Sequence, residues 1–248
     1  MKLKTYLILL NQVNEASFNI FKYVARFTIL LLSVSLLFSQ WSSFKLNNNI
    51  NSTFKYGGLF ATYNSPVEIR NDRRIAISSS LNKELSNDGF SPSIESKIKI
   101  SWNLSIKGKM ANFSSDNRAI QMYGWGLTLK PGSIEEPSQW RILFDSGRIN
   151  SNKQFRLSAM SVSIIKFFAW NNLKLNSGFG TNMVNVLSYN ISDNYDFQTN
   201  YVSFGLSTKL FGFVLSPQVL FGSKINFISI SIGAVSYTHL TLPTKRIV

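Results

Sequence analysis

The sequence predicts an all-β protein, an antiparallel up-and-down barrel with roughly nine or ten strands present. Three observations carry this prediction. The dominant apolar period after residue 53 is two, no helix is expected after residue 40, and the gaps between runs are rich in Asn, Asp, Gly, Pro and Ser. The composition agrees: 44% hydrophobic, 14% aromatic and 15% charged over 248 residues supports one folded core and excludes a disordered chain.

The elements follow in chain order. Lys22 and Arg26 precede the apolar run 27–38, which is followed by Ser39 and Gln40. Twelve helical residues rise about 18 Å, short of the roughly 30 Å hydrocarbon core of a bilayer. A basic flank, a short apolar core and a small residue behind it predict a secretory signal peptide over 1–40. The residues ahead of the flank make it long, as an over-extended start would; a short buried helix is the alternative reading. Residues 41–53, with the Asn-rich stretch 46–53, are expected to be a linker, and 54–234 the barrel domain.

A first strand is expected around 54–63 and a second at 73–82. The clearest alternation is 97–109. Ile98, Ile100, Trp102, Leu104 and Ile106 fall on one face, and Lys97, Lys99, Ser101, Asn103, Ser105, Lys107 and Lys109 on the other. Successive side chains of a strand point to opposite faces, so this reads as one long amphipathic strand. Further runs follow at 123–130 (Tyr123, Trp125, Leu127), 140–145, 173–183, 201–210 (Val202, Phe204, Leu206), 213–221 and 227–234 (Ile228, Ile230, Ile232). In 155–170 the apolar parity slips near Met160, as at a bulge. Tight turns are expected at 171–172 and 211–212, and longer loops at 83–95, 131–139 and 187–199.

Two architectures satisfy alternating strands: a β-sandwich with the apolar face inward, and a transmembrane barrel with that face toward lipid. The barrel is favoured by strand length, since 97–109 exceeds the roughly 9–11 residues of a tilted membrane strand and the 5–6 of a typical globular one. It is also favoured by the Ser, Gly, Asn, Thr and Lys of the opposite face, suited to a wet lumen, and by aromatics toward strand ends (Trp140, Phe167, Phe168, Trp170, Tyr201, Phe213). On this reading Ile98, Ile100, Trp102, Leu104, Ile106, Trp125, Phe204 and Ile230 face lipid. With the export signal and these dyads, 54–234 resembles outer-membrane β-barrel proteins of Bacteroidetes-like bacteria. Residues 235–244, "VSYTHLTLPT", resemble one translated frame of a sequencing adapter, which implies that 235–248 is an artefact and the barrel C-terminally truncated; a genuine polar tail is the alternative.

The formal charge is +14, and +9 over 41–234 once the leader and tail are set aside. There is no Cys, and the single His, His239, lies in the suspect tail, so neither a thiolate nor a Ser–His arrangement can form in the barrel. Glu135 with Glu136, and Asp193 with Asp196, fall in expected loops and read as solvated acids in preference to a general acid/base pair or a calcium site. Gly57–Gly58 and the 178–180 "GFG" lack a following helix and are not phosphate loops. Lys97, Lys99, Lys107 and Lys109 form a basic face, either lining a lumen that attracts anions or lying solvated at a rim against lipopolysaccharide phosphates. The 69–74 "IRNDRR" cluster reads as a turn or rim. No enzyme, cofactor, metal or nucleic-acid partner is expected. The expectation is a porin-like passage or an accessory of envelope transport or secretion, in contact with outer-membrane lipid and with small solutes or envelope-assembly proteins; the alternative is a secreted or periplasmic β-sandwich binding module.

Overall fold

The computed structural model describes residues 50–65, 74–85, 90–115, 118–151, 155–170, 173–189, 194–210, 212–223 and 225–236, all within the compact unit Gln40–Val248. The expected signal segment, residues 69–73, Asp193 and the tail from 237 onward lie outside the described residues.

Ten strands form one antiparallel meander: β1 (Ile75–Glu84), β2 (Ser91–Lys99), β3 (Leu104–Ser115), β4 (Arg118–Leu129), β5 (Trp140–Ser151), β6 (Phe155–Trp170), β7 (Leu173–Ser188), β8 (Asn194–Leu210), β9 (Phe213–Gly222) and β10 (Ile225–Ser236). Each strand pairs with its chain neighbours, and β1 pairs with β10 over its whole length, so the sheet closes. The barrel expectation holds and the sandwich falls. The set expected to be incomplete is a closed one. β10 also runs past the expected domain boundary at 234, with Val235 opposite Ala76 and Ser236 opposite Ile75.

Every strand meets the next through a local connection. At one mouth lie the connections 100–103, 130–139, 171–172 and 211–212, together with the start of β1 and the end of β10; we call it the near mouth. Gly212, at φ +86°, makes the two-residue turn between Leu210 and Phe213. The far mouth carries 85–90, 116–117, 152–154, 189–193 and 223–224.

Three strand expectations are corrected. Residues 97–109 are not one strand: Lys97 and Lys99 end β2, the chain turns through 100–103, and Lys107 and Lys109 sit on β3, with Lys97 opposite Lys107 and Ile98 opposite Ile106. Parity survived the turn because four residues intervene, and an even insertion leaves alternation in phase. Segment 155–170 pairs without interruption to both neighbours, Met160 opposite Ser146 and Met183. Its parity seemed to slip because its inward positions Phe155, Leu157 and Ala159 are apolar. The loops expected at 83–95 and 187–199 are shorter, since β2 begins at Ser91 and β8 at Asn194.

The largest correction is at 50–62. The expected linker end and the strand at 54–63 are instead a helix, α1 (Ile50–Thr62), and it lies inside the barrel. Gly57 and Gly58 in mid-helix cost about 1 kcal/mol each relative to alanine, which argues against a helix read from propensity alone. Packing reverses that balance: a Cβ on Gly58 would collide with the Val184 side chain, so glycine lets the helix approach β7. Phe54, Tyr56, Leu59, Phe60 and Ala61 are all buried against the wall, chiefly β4–β8 and β10, and of the described side chains only Asn51, Ser52 and Lys55 near the start of the helix keep exposure.

Candidate functional site

The lumen is built in layers that follow from which residues the inward parity supplies. Toward the far mouth the inward face is mostly apolar, with a buried polar sector of Asn82, Glu84, Ser91 and Ser93 on β1 and β2. Ile120, Met122, Ile149, Phe155, Leu157, Val184, Val186, Leu220, Ile225 and Phe227 form one core with α1. The Phe54 ring meets Phe155 edge-on at 5.1 Å, Tyr56 lies 5.7 Å from Phe227, and Tyr56 Oη donates to Ser91 Oγ at 2.9 Å. This half of the lumen is therefore not the wet channel that the inward Ser, Asn and Thr of other strands led one to expect.

The last turn of α1 reaches a charged layer near mid-barrel. Lys109 Nζ donates to the carbonyls of Phe60 at 2.8 Å and Tyr63 at 2.7 Å, capping the helix C-terminus where the backbone dipole favours a cation. The same ammonium lies 3.6 Å from Glu95 Oε1 and 4.8 Å from the centre of the Phe60 ring. Lys107 Nζ lies 2.6 Å from Asp145 Oδ1, which also accepts from Asn64 Nδ2 at 3.1 Å. Ser65 N donates to Glu95 Oε2 at 2.9 Å, and Ser65 Oγ shares a hydrogen bond with Ser231 at 2.6 Å. Two lysines and two carboxylates, all buried, thus balance one another and tie the segment after α1 to β2, β3, β5 and β10. Gly124 and Gly147, directly opposite each other on β4 and β5, complete the seat. A Cβ on either would stand 2.6 Å from the Ala61 carbonyl oxygen.

Toward the near mouth the inward side is polar and then basic, apart from a small apolar cluster of Leu143, Ile165 and Phe167. Here Ser207 and Ser216 pair across strands at 2.7 Å. Beyond them Arg74, Lys97, Lys99, Lys130, Arg141, Lys174 and Lys209 all fall on inward parity, with no acidic residue on that parity among the described residues of this end.

The four lysines singled out from sequence therefore divide. Lys107 and Lys109 are buried latch residues, and Lys97 and Lys99 are half-buried at the near mouth. All four lie on the inward parity of their strands. The lipid-facing set fares better. Ile98, Ile100, Ile106, Trp125, Phe204 and Ile230 are exposed on the outside, Leu104 is half-buried on outward parity, and Trp102 sits in the 100–103 turn. Among the aromatics expected at an interface, Trp140, Phe168 and Trp170 are exposed near one mouth, whereas Phe167 and Tyr201 point inward and are buried. Glu135 and Glu136 are exposed in the 130–139 connection, while Asp196 lies on β8, outward, and accepts from Asn185 at 2.8 Å. No group of three metal-ligating side chains occurs among the described residues.

Closure abolishes sheet edges, and the outward face of β4–β8 is mostly apolar from the near mouth to about Trp125, Phe144, Met160 and Val202, with Lys166 the one described charged residue in it, its Nζ over the Trp140 and Phe168 rings. No described helix is long and apolar enough to cross a membrane; the strands cross it. These are the properties of an outer-membrane β-barrel, and the outer membrane is its location. In single-tryptophan variants reconstituted with brominated lipid, Val162→Trp, inside the apolar band, is expected to be strongly quenched by bromines deep in the acyl chains, and Trp125, at the edge of the band, only by shallow ones. Absence of deep quenching at position 162 would overturn this placement.

No protein-family profile and no curated protein matches the chain. Among solved structures it is similar to the KdgM porin (TM-score 0.38, 7% identity, covering 66% of this chain and 99% of that one). It is also similar to the translocator domain of the autotransporter NalP from Neisseria meningitidis (0.38, 9%, 68% and 90%). A third is the N-terminal β-barrel domain of Pseudomonas aeruginosa OprF (0.33, 8%, 66% and 98%).

Proposed function

We propose that this protein is a non-enzymatic, porin-like barrel of the outer membrane, closed at rest by its own helix α1, with a near mouth that collects small anionic solutes. The observation that carries the reading is the seat of α1: a helix buried over most of its circumference, capped by Lys109 and fitted against paired glycines. Seven basic side chains on the inward parity of one mouth raise the local concentration of anions there. The absence of histidine and cysteine from 41–234 supports a passive role.

Planar-bilayer recording tests this. The intact protein is expected to conduct rarely, and a variant lacking 50–62 to conduct steadily with anions preferred over cations. Steady conductance that deletion of the helix leaves unchanged would sink the plugged reading. A cation preference in the deletion variant would sink the anion-collecting mouth.

A further inference from the structure

The outer surface carries a second set of cations that the sequence reading did not single out. On the outward parity of β5 the order from the near mouth is Trp140, Ile142, Phe144, Ser146, Arg148, Asn150; on β6, from the far mouth, it is Arg156, Ser158, Met160, Val162, Ile164 and then Lys166, which lies over Trp140 and Phe168 on the other side of the apolar band. Arg148 stands opposite Ser158 and Asn150 opposite Arg156, so the two arginines are diagonal neighbours on adjacent strands. They lie where the apolar band gives way to polar residues, with Tyr123 and Trp125 beside them on β4 and the Arg148 guanidinium 3.5 Å from Tyr123 Oη. A shallow depression of about 260 Å³ opens here between Tyr123, Trp125, Arg148 and Ser158. It meets at Ser158 a second one of about 460 Å³ that runs over Met160 and Met183 to Asp196. Asp196 is the one described acid on the outward parity of β4–β8, and it closes the far end of the groove.

We infer that Arg148 and Arg156 bind the phosphorylated headgroup of a membrane lipid whose acyl chains lie along Trp125, Phe144 and Met160. Guanidinium groups match phosphate oxygens with two parallel donors each, and two of them at an apolar–polar boundary fit a phosphate that is tethered to chains. Trp125 and Met160 are 57% and 67% exposed, an apolar surface set directly beside the charge. Tethering decides the source. A free phosphate would gain the two arginines only, whereas a lipid gains the apolar floor as well. The inference rests on the outer-membrane reading but not on the plug, so the conductance experiment and the one below fail separately.

The probe is lipid A in detergent micelles, with its phosphates and in dephosphorylated form, followed by native mass spectrometry of the folded protein. The intact chain is expected to retain the phosphorylated form about tenfold more than the dephosphorylated one, and R148Q/R156Q to lose that preference. R148K/R156K is expected to keep part of it, because charge remains while the fork geometry goes. Inorganic phosphate at millimolar concentration is expected not to displace the lipid. Equal retention of both forms, an unaffected double glutamine variant, or full displacement by inorganic phosphate would each overturn the proposal. The gel mobility of the folded barrel separates loss of binding from loss of fold.

Discussion

Replacing Lys109 by methionine is expected to destabilise the folded barrel by about 3–5 kcal/mol, because it leaves Glu95 buried without its cation and two helix carbonyls without a donor. Methionine keeps most of the volume, so the loss reports charge and hydrogen bonding, not a cavity. The balance of the layer makes a sharper test. Glu95→Gln in the same chain removes the orphaned charge while retaining an acceptor for Ser65 N and Ser80 Oγ, and the double variant is expected to recover a large part of the loss. Urea titrations of the refolded protein in detergent, read by tryptophan fluorescence, measure both. Simple addition of the two single effects would show that the lysine and the carboxylate act independently.

Gly147→Val is expected to expel α1 while leaving the wall intact. The new Cβ would fall 2.6 Å from the Ala61 carbonyl oxygen and 2.7 Å from the Ala61 Cβ, backbone-level contacts that no rotamer relieves. Overpacking of this kind costs roughly 1–3 kcal/mol, yet valine is a better strand former than glycine, so the penalty falls on the helix seat and not on β5. Two readouts are expected to move together: trypsin cleavage at Lys55, half-buried in α1, becomes faster, and channel openings become frequent. Gly108→Ala is the control. It lies on the outward parity of β3, where a Cβ would meet only the Ser96 hydroxyl at 3.1 Å, and it is expected to change neither. Unchanged cleavage in Gly147→Val would mean that the helix does not depend on this notch.

The wall of the barrel was legible where its outward side meets lipid, because a single apolar solvent imposes strict alternation on the strands that cross it. Ile98, Trp125, Phe204 and Ile230 could be assigned from parity alone. The inward side has two solvents, water toward the near mouth and α1 toward the far mouth, so its polarity changes along each strand. Phe155, Leu157 and Ala159 looked like a slip in register for that reason. The helix was illegible for a related one. Burial of most of its circumference removes the polar face that marks a surface helix, and Gly57–Gly58, of which Gly58 makes the contact with β7, reads locally as a break. The latch was half visible: the lysine face was found, but its partners Glu95 and Asp145 sit on other strands, in segments read as a loop and as ordinary strand. Their pairing exists only across the sheet.

The seam between β1 and β10 joins Glu84 to Phe227 and Ile75 to Ser236, residues more than half the chain apart. Because α1 precedes β1 in the chain and ends up surrounded by all that follows, the order of assembly is constrained. The helix has to be in place before this last ladder zips shut, or else be drawn lengthwise into a finished cylinder. Contacts so distant in sequence form slowly. During that delay the open sheet presents two unpaired edges and an apolar inner stripe, Phe155, Leu157, Val184 and Val186, with only α1 to cover it. The segment that closes the pore is thus also an internal template, the surface on which the sheet curls before it has a second edge to meet.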